Sequence, residues 1–236
     1  MVESNYFDFH VLQDSKHFAS LESAVEAARI YNGSSTAEDR KRARIIIHEG
    51  SYFNTSVELS TLDSGLVIEA AEGETPVLYG GCRITGWKKE ASSEFWYAEP
   101  AGIREGQWDF RLMTVDGELR SRSRLPETGV FNHLTVFDVP WMSTTAGGWK
   151  RKPTDEELTS FIYKPGDIDP DLDFRNAELT IFHKWDESLA GILSHDKDKH
   201  MFRLSNACGH PPGAFGYTGY ILWNTREGMT RPGSGI

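Results

Sequence analysis

Arg120, Arg122 and Arg124 stand at alternate positions, separated by Ser121 and Ser123 and followed by Leu125. On an extended strand their guanidinium groups share one face. A guanidinium fork pairs bidentately with a carboxylate, so this ladder suits recognition of uronates; it equally fits a salt-bridged face in an acidic protein. Trp141 and Trp149 frame a loop containing Ser143, Thr144, Thr145, Gly147 and Gly148, and Trp185 directly precedes Asp186 and Glu187. An indole on a polar loop offers a flat platform to the C–H face of a sugar, or tucks back into its own domain. Glycoside hydrolysis needs two carboxylates flanking the scissile bond. Asp186 and Glu187 are neighbours, and neighbours on a strand point to opposite faces, so they read as a polar strand end and no catalytic residue is assigned. The candidate substrate-binding residues are therefore Arg120, Arg122, Arg124, Trp141, Trp149 and Trp185.

Other chemistry is not expected. Asp167, Asp169, Asp171 and Asp173 alternate, and Glu178 falls at the twelfth position counted from Asp167, which mimics a calcium loop. Leu172 stands where that loop needs glycine and Pro170 interrupts it, so the stretch reads as a solvated acidic loop and no metal is expected. The 8 histidines form no HExxH pattern, and no GxGxxG, P-loop or GxSxG motif occurs, so no cofactor is expected. Cys82 and Cys208 are the 2 cysteines, too few for a disulfide framework or a CxxC metal site.

These residues must be held by the rest of 236 residues, enough for one large domain or two small ones. Lys and Arg total 25 against 35 Asp and Glu, a net charge of −10, which argues against a non-specific grip on nucleic acid or an anionic membrane surface. No run reaches the roughly 18 apolar residues of a membrane-spanning helix. The first residues, Met1-Val-Glu-Ser-Asn-Tyr6, lack the basic and apolar regions of a signal peptide, so the chain as printed is expected to be cytoplasmic; a leader removed earlier would make it secreted or periplasmic.

Leu21, Ala24, Val25 and Ala28 follow the i, i+3, i+4, i+7 pattern of a helix, with Ser20 as its cap and Asn32-Gly33 as its stop. The polar segment Ser34 to Arg42 reads as a solvated loop. Short β runs follow at Ile45–Ile47, Val57–Leu59, Leu66–Ile68 and Val77–Tyr79, each closed by a turn signal. Ile46 and Ile68 are 22 residues apart (68 − 46), and Val57 and Leu78 are 21 apart (78 − 57). Two interleaved periods of similar size fit coils of a parallel β-solenoid, with Ile46 stacked near Ile68 and Val57 near Leu78; an antiparallel meander is the alternative. The period ends near Trp87. Beyond it, Leu112–Val115 and Glu118–Arg120 flank Asp116-Gly117 as a hairpin. Further strands are expected at Thr135–Val139, Phe161–Tyr163, Glu178–His183, Met201–Leu204 and Tyr220–Trp223, and Thr154-Asp-Glu-Glu157 fits a capping box. This second region reads as an antiparallel sandwich or barrel.

The stretches Phe18-Ala-Ser-Leu-Glu-Ser-Ala-Val-Glu-Ala-Ala-Arg29, Ile47-His-Glu-Gly-Ser-Tyr52, Asp63-Ser-Gly65, Ala71-Glu-Gly-Glu-Thr-Pro-Val77 and Gly80-Gly-Cys-Arg-Ile-Thr-Gly-Trp87 occur in an order that resembles the opening of right-handed parallel β-helix glycosidases, most closely glycoside hydrolase family 141. Arg120 to Pro126, Ala177 to Trp185 and Tyr220 to Gly233 resemble that family's inserted β domain and its return. The order of the stretches carries the match, which spans about residues 18 to 233. The Gly/Asp-rich turn usual before the first helix is missing, and Ser234-Gly-Ile236 stands where the family continues into a Trp-Tyr strand.

The resemblance implies a mainly β, pectin-lyase-like fold: an N-terminal helix capping the first coils of a right-handed parallel β-helix in residues 1–86, an inserted sandwich- or barrel-like antiparallel domain in 87–220, and a return strand in 221–236. It implies part of a glycoside hydrolase acting on a polysaccharide, with this chain forming the cap and one wall of the cleft. In the family the bulk of the β-helix and the catalytic carboxylates follow this point, so this chain alone is expected to be inactive. The alternatives are a non-catalytic carbohydrate-binding or structural module, or a fragment of a β-helix polysaccharide lyase. A carbohydrate is the expected partner, with no nucleic acid and no membrane. Because a solenoid buries its core only by stacking, the second coil, around Ala70-Ala71 and Val77-Leu78-Tyr79, should leave an open edge through which copies self-associate.

Overall fold

Alternation builds the first strand: in Tyr6-Phe-Asp-Phe-His-Val11, Phe9 and Val11 are buried while the intervening residues face outward. The computed structural model describes residues 5–13, 16–34, 41–145, 147–231, 233 and 235. The chain forms two compact units, Met1–Gln107 and Trp108–Ile236. Strand covers 32% and helix 10%, so the protein is mainly β. No helix among the described residues is long and apolar enough to cross a membrane.

In the first unit β1 (Tyr6–Val11), α1 (Leu21–Ser34), β2 (Arg42–Ile47), β3 (Ser51–Tyr52), β4 (Val67–Ala70), β5 (Val77–Leu78), β6 (Lys88–Lys89) and β7 (Trp96–Tyr97) follow in order. β1, β2 and β4 form one parallel sheet, β3 and β5 a second parallel pair, and β6–β7 an antiparallel ribbon. The helix begins as its spacing requires. Ser20 Oγ accepts the Ser23 N–H at 3.3 Å, and Leu21, Ala24, Val25 and Ala28 are its buried residues. It packs on β1 and β2 and runs through Asn32-Gly33 to Ser34.

The strands from the two spacings are parallel, in a shifted register. Ile68 pairs with Ile45 and Ile46 with Glu69, one residue from the expected match; Leu78 pairs with Tyr52. Val57 lies outside the strands and packs against the core. The reason for the shift is burial. Ile45 and Ile47 point inward with Phe9 and Val11, so Ile46 must face outward. A strand at Tyr6–Val11 escapes the sequence reading, and the stretch 35–40 of the expected polar loop lies outside the described residues, as do Pro232, Ser234 and Ile236.

The second unit contains β8 (Met113–Val115), β9 (Glu118–Arg120), β10 (Arg124–Leu125), β11 (Phe131–Asn132), β12 (Trp141–Ser143), β13 (Gly148–Trp149), α2 (Asp155–Thr159), β14 (Ser160–Ile162), β15 (Glu178–Phe182), β16 (Glu187–Asp196), β17 (Met201–Leu204) and β18 (Gly219–Trp223). One sheet runs β10-β18-β15-β16-β17-β14, with β11 also on β18; β8–β9 and β12–β13 are separate ribbons. Among the described residues no sheet closes into the expected barrel. All pairings in the large sheet are antiparallel. Its core holds Phe161, Tyr163, Leu179, Ile181, Phe202, Leu204, Tyr220 and Leu222, all nearly inaccessible.

Local chemistry explains several of these elements. Asp116 and Gly117 both take positive φ, 54° and 79°, as the turn between β8 and β9 demands. Thr154 and Glu157 form a reciprocal capping box at α2. Thr135–Val139 forms no strand; it contributes only the isolated bridge from Phe137 to Ala214. Its residues instead line the loop 211–216, where a Cβ on Gly213 would come within 2.2 Å of the Thr135 carbonyl oxygen. That approach, at φ +83°, admits only glycine.

Candidate functional site

In the second unit Phe215 links Trp185 to the pair Trp141 and Trp149. Trp141 and Trp149 face each other across β12–β13, with ring centroids 5.0 Å apart at 81°. Gly148, at φ +85°, permits the fit, because a Cβ there would sit 3.3 Å from the Trp141 ring. Phe215 stacks beside Trp149 at 5.0 Å and beside Trp185 at 4.9 Å, joining the two into one surface. Phe215 itself has φ 56°, a left-handed conformation uncommon for a bulky residue. Gly213, two residues earlier, lets its loop reach the Thr135 backbone, which sets where the ring lies.

Trp185 sits on the tip of the β15–β16 hairpin. The His183 N–H donates to the Asp186 carbonyl at 2.9 Å, closing a tight turn that leaves Trp185 62% exposed. The Lys184 ammonium lies 5.0 Å from the Trp185 ring centroid and 5.1 Å from that of Phe215. His210 borders the surface, 6.0 Å from Trp185 and 6.4 Å from Trp141, with its Nδ1 3.4 Å from Asp186 Oδ2. Beneath this rim His183 is buried and shares a hydrogen bond of 2.8 Å with Ser188 Oγ. Burial pushes the His183 imidazole pKa down. Ser188 Oγ also accepts the Gly209 N–H at 3.0 Å, tying the loop that carries His210 to β16. Burial raises the neighbouring Cys208 thiol to about 11, so it is inert as a nucleophile. The surface can stack flat apolar faces and hydrogen-bond at its edge; Asp186 lies near His210 without a hydrogen bond between them, and Glu187 begins β16.

The arginines lie elsewhere in the unit, each with an internal partner. Arg122 ion-pairs with Glu178 at 2.5 Å and donates to Asn224 Oδ1. Arg124 donates to the Gly129 carbonyl, and both guanidinium groups sit over the Trp223 ring, at 5.1 and 5.3 Å. Arg120 pairs with Glu118 at 3.3 Å. Arg111 joins Arg122 on Glu178, and these hydrogen bonds hold the Glu178 carboxyl below its usual range. The acidic alternation disperses likewise: Asp171 pairs with Lys197, Asp173 with Arg175, and Asp167 accepts from the Tyr220 hydroxyl. Among the described residues no three His, Cys, Asp or Glu side chains gather to hold a metal ion.

The first unit carries polar networks that the sequence does not announce. On the outward face of its sheet Arg44 of β2 makes a two-pronged pair with Asp8 of β1, both bonds 2.8 Å, and reaches Glu69 of β4 at 3.2 Å. Beyond it, His10 Nδ1 lies 3.0 Å from His48 Nε2, and His48 Nδ1 lies 3.1 Å from Glu74 Oε1. With Glu74 accepting the Nδ1 proton of His48, the other His48 nitrogen accepts from His10. No spacing rule links residues 10, 48 and 74; successive parallel strands bring them together. Phe215, Lys184 and His210 were equally hidden. The flanking glycines of Gly213-Ala-Phe-Gly216 mark a special turn but say nothing of its neighbours.

No family model matches the chain, and no curated protein matches it in sequence. A solved structure titled "Glycoside hydrolase" is similar in fold, with a TM-score of 0.62 and 19% sequence identity, covering 97% of this chain and 41% of that one. The chain thus spans about 41% of the length of the glycoside hydrolase it resembles.

Proposed function

We propose that this chain is part of a carbohydrate-active enzyme, a glycoside hydrolase acting on a polysaccharide, and that its second unit supplies an aromatic glycan-binding surface. The observation that carries the reading is the convergence of Trp141, Trp149 and Trp185 through Phe215, with Trp185 largely exposed. Stacked aromatic faces bordered by a few polar groups suit the C–H faces of sugar rings. The fold shared with a glycoside hydrolase supports the same reading.

In this reading the finer family-141 likeness also holds. Residues 1–86 are the cap and first coils of a right-handed parallel β-helix, 87–220 the inserted domain and 221–236 the return, and the chain forms one wall of the substrate cleft. The parallel stacking of β1, β2 and β4 and of β3 with β5 supports it. The edge at β4 and β5 is then where further stacking, or self-association of isolated chains, takes place.

A non-catalytic carbohydrate-binding module is the second reading. It is favoured by Asp186 and Glu187 being chain neighbours, which does not set two carboxylates on either side of a bound sugar. Calorimetric titration with neutral oligosaccharides, beside an aryl-glycoside and polysaccharide activity screen, tests both. Binding that is lost in Trp185→Ala, with the fold intact, supports the surface; turnover in the same sample favours enzyme over module. Absence of binding to every glycan on an array overturns the reading.

A further inference from the structure

We infer that Lys184 makes the aromatic surface selective for acidic sugars, those carrying a carboxylate; the inference rests on the glycan-binding reading above. Lys184 places a cation on this surface. Its ammonium lies over two rings at once, 5.0 Å from the Trp185 centroid and 5.1 Å from the Phe215 centroid, with the rings themselves 4.9 Å apart at 72°. Among the described residues no carboxylate pairs with it, although the protein carries ten more acidic than basic side chains, 35 against 25. The nearest acid in sequence, Asp186, is set against His210 Nδ1 at 3.4 Å. The charge on Lys184 is therefore unbalanced at the place where a sugar would stack.

Position makes that charge decisive. A pyranose laid on Trp185 brings its substituents to the ring edge, within reach of a lysine that lies over the same faces. A neutral sugar must share the aromatic face with an ammonium whose attraction to the rings it weakens. A sugar carboxylate replaces that attraction with an ion pair that keeps the lysine in place. The arginine ladder is occupied elsewhere: Arg120 pairs with Glu118, and Arg122 and Arg124 are held by Glu178, Asn224, the Gly129 carbonyl and the Trp223 ring. Selectivity from Lys184 must also act against the net charge of −10, so it is a property of the local pair rather than of the protein's overall field.

The test compares oligogalacturonate with its fully methyl-esterified form, which share a backbone and differ in charge. Titrations use the whole chain at fixed ionic strength. The expected result is an affinity for the acid about two- to fivefold above that for the ester, the range of one solvent-exposed ion pair. Lys184→Gln, with an unchanged melting temperature, should equalise the two ligands, and Lys184→Arg should keep the preference. Trp185→Ala should weaken both. Equal binding of acid and ester by the native chain, or a preference that survives Lys184→Gln, overturns the inference and leaves the glycan-binding surface standing. Failure of every glycan, neutral or acidic, to bind overturns the underlying reading instead.

Discussion

The two units bury their cores by different means. In the second, the core is enclosed: Phe161, Tyr163, Phe202 and Tyr220 interlock across an antiparallel sheet, and Ile168, Leu172 and Cys208 from the loops pack into the same core. In the first, inward residues stack along the sheet normal to the chain, Phe9 against Ile45 against Ile68, and burial fades along the stack. Ile45 is 0% exposed and Ile68 36%, while Leu78 at the end of the Tyr52 stack is 43% exposed. The helix α1 covers β1 and β2 and leaves β4 uncovered. An antiparallel sheet closes its core within one stretch of chain; a parallel stack finishes only when something sits on its last strand.

Mutations sharpen this contrast, beginning with the largest effect. Phe202→Ala empties the centre of the second unit and should cost roughly 3–5 kcal/mol in denaturant unfolding, whereas Ile68→Ala should cost less, about 1–2 kcal/mol, because Ile68 keeps 36% of its surface exposed. A comparable cost at Ile68 would show that the open end of the stack is covered in solution. Five of the seven tryptophans (108, 141, 149, 185 and 223) lie in the second unit, so tryptophan fluorescence follows that unit chiefly.

Acid should separate the units next. His133 of the second unit is 3% exposed, packed on Phe161 and Tyr220, and burial pushes its pKa down to about 4, with His183 adding to the effect. The unfolded chain, with an ordinary histidine, binds the proton first as pH falls. Stability is therefore full above about 6.5 and falls as pH drops toward 4, by up to roughly 3 kcal/mol from this group. His133→Phe should flatten that dependence in pH-stepped denaturant titrations. In the first unit, Asp63 is held well below the usual carboxylate range by the Arg29 guanidinium, with both bonds at 2.8 Å. Its contribution is present above the ordinary Asp value and is lost only at lower pH, so the second unit should weaken first.

Helix capping gives the smallest effect. Thr154→Ala removes one half of the box with Glu157 at a five-residue helix and should cost about 1 kcal/mol. Ser20→Ala, in the fourteen-residue α1 with its buried face, should cost less. Thermal melts of both variants compare them; the reverse order would mean that α1 depends on its cap more than on its packing.

Where local rules dominate, the sequence is legible. The α1 face, the Asp116-Gly117 turn, the Thr154 box and the strand at Met201–Leu204 follow from periodicity, φ preference and capping, which act within a few residues. The spacing of the β runs also gives the parallel sense of the first sheet, though not its register, since a one-residue slip changes which isoleucine faces the core. The six site candidates divide for the same reason. Residue type alone singles out the tryptophans as large aromatics on loops and the arginines as a charged ladder. Which of them already has an internal partner depends on residues distant in sequence: Glu178 and Trp223 occupy Arg122 and Arg124, whereas Phe215 joins Trp149 to Trp185 without covering it. The amino-acid sequence by itself determined a mainly β chain with an amphipathic first helix and short strands, because these depend on propensity and pattern at short range. The tertiary structure alone decided the register of the first sheet, the Glu74–His48–His10 chain and the aromatic surface beneath Lys184, because each is a contact between segments that no local rule relates.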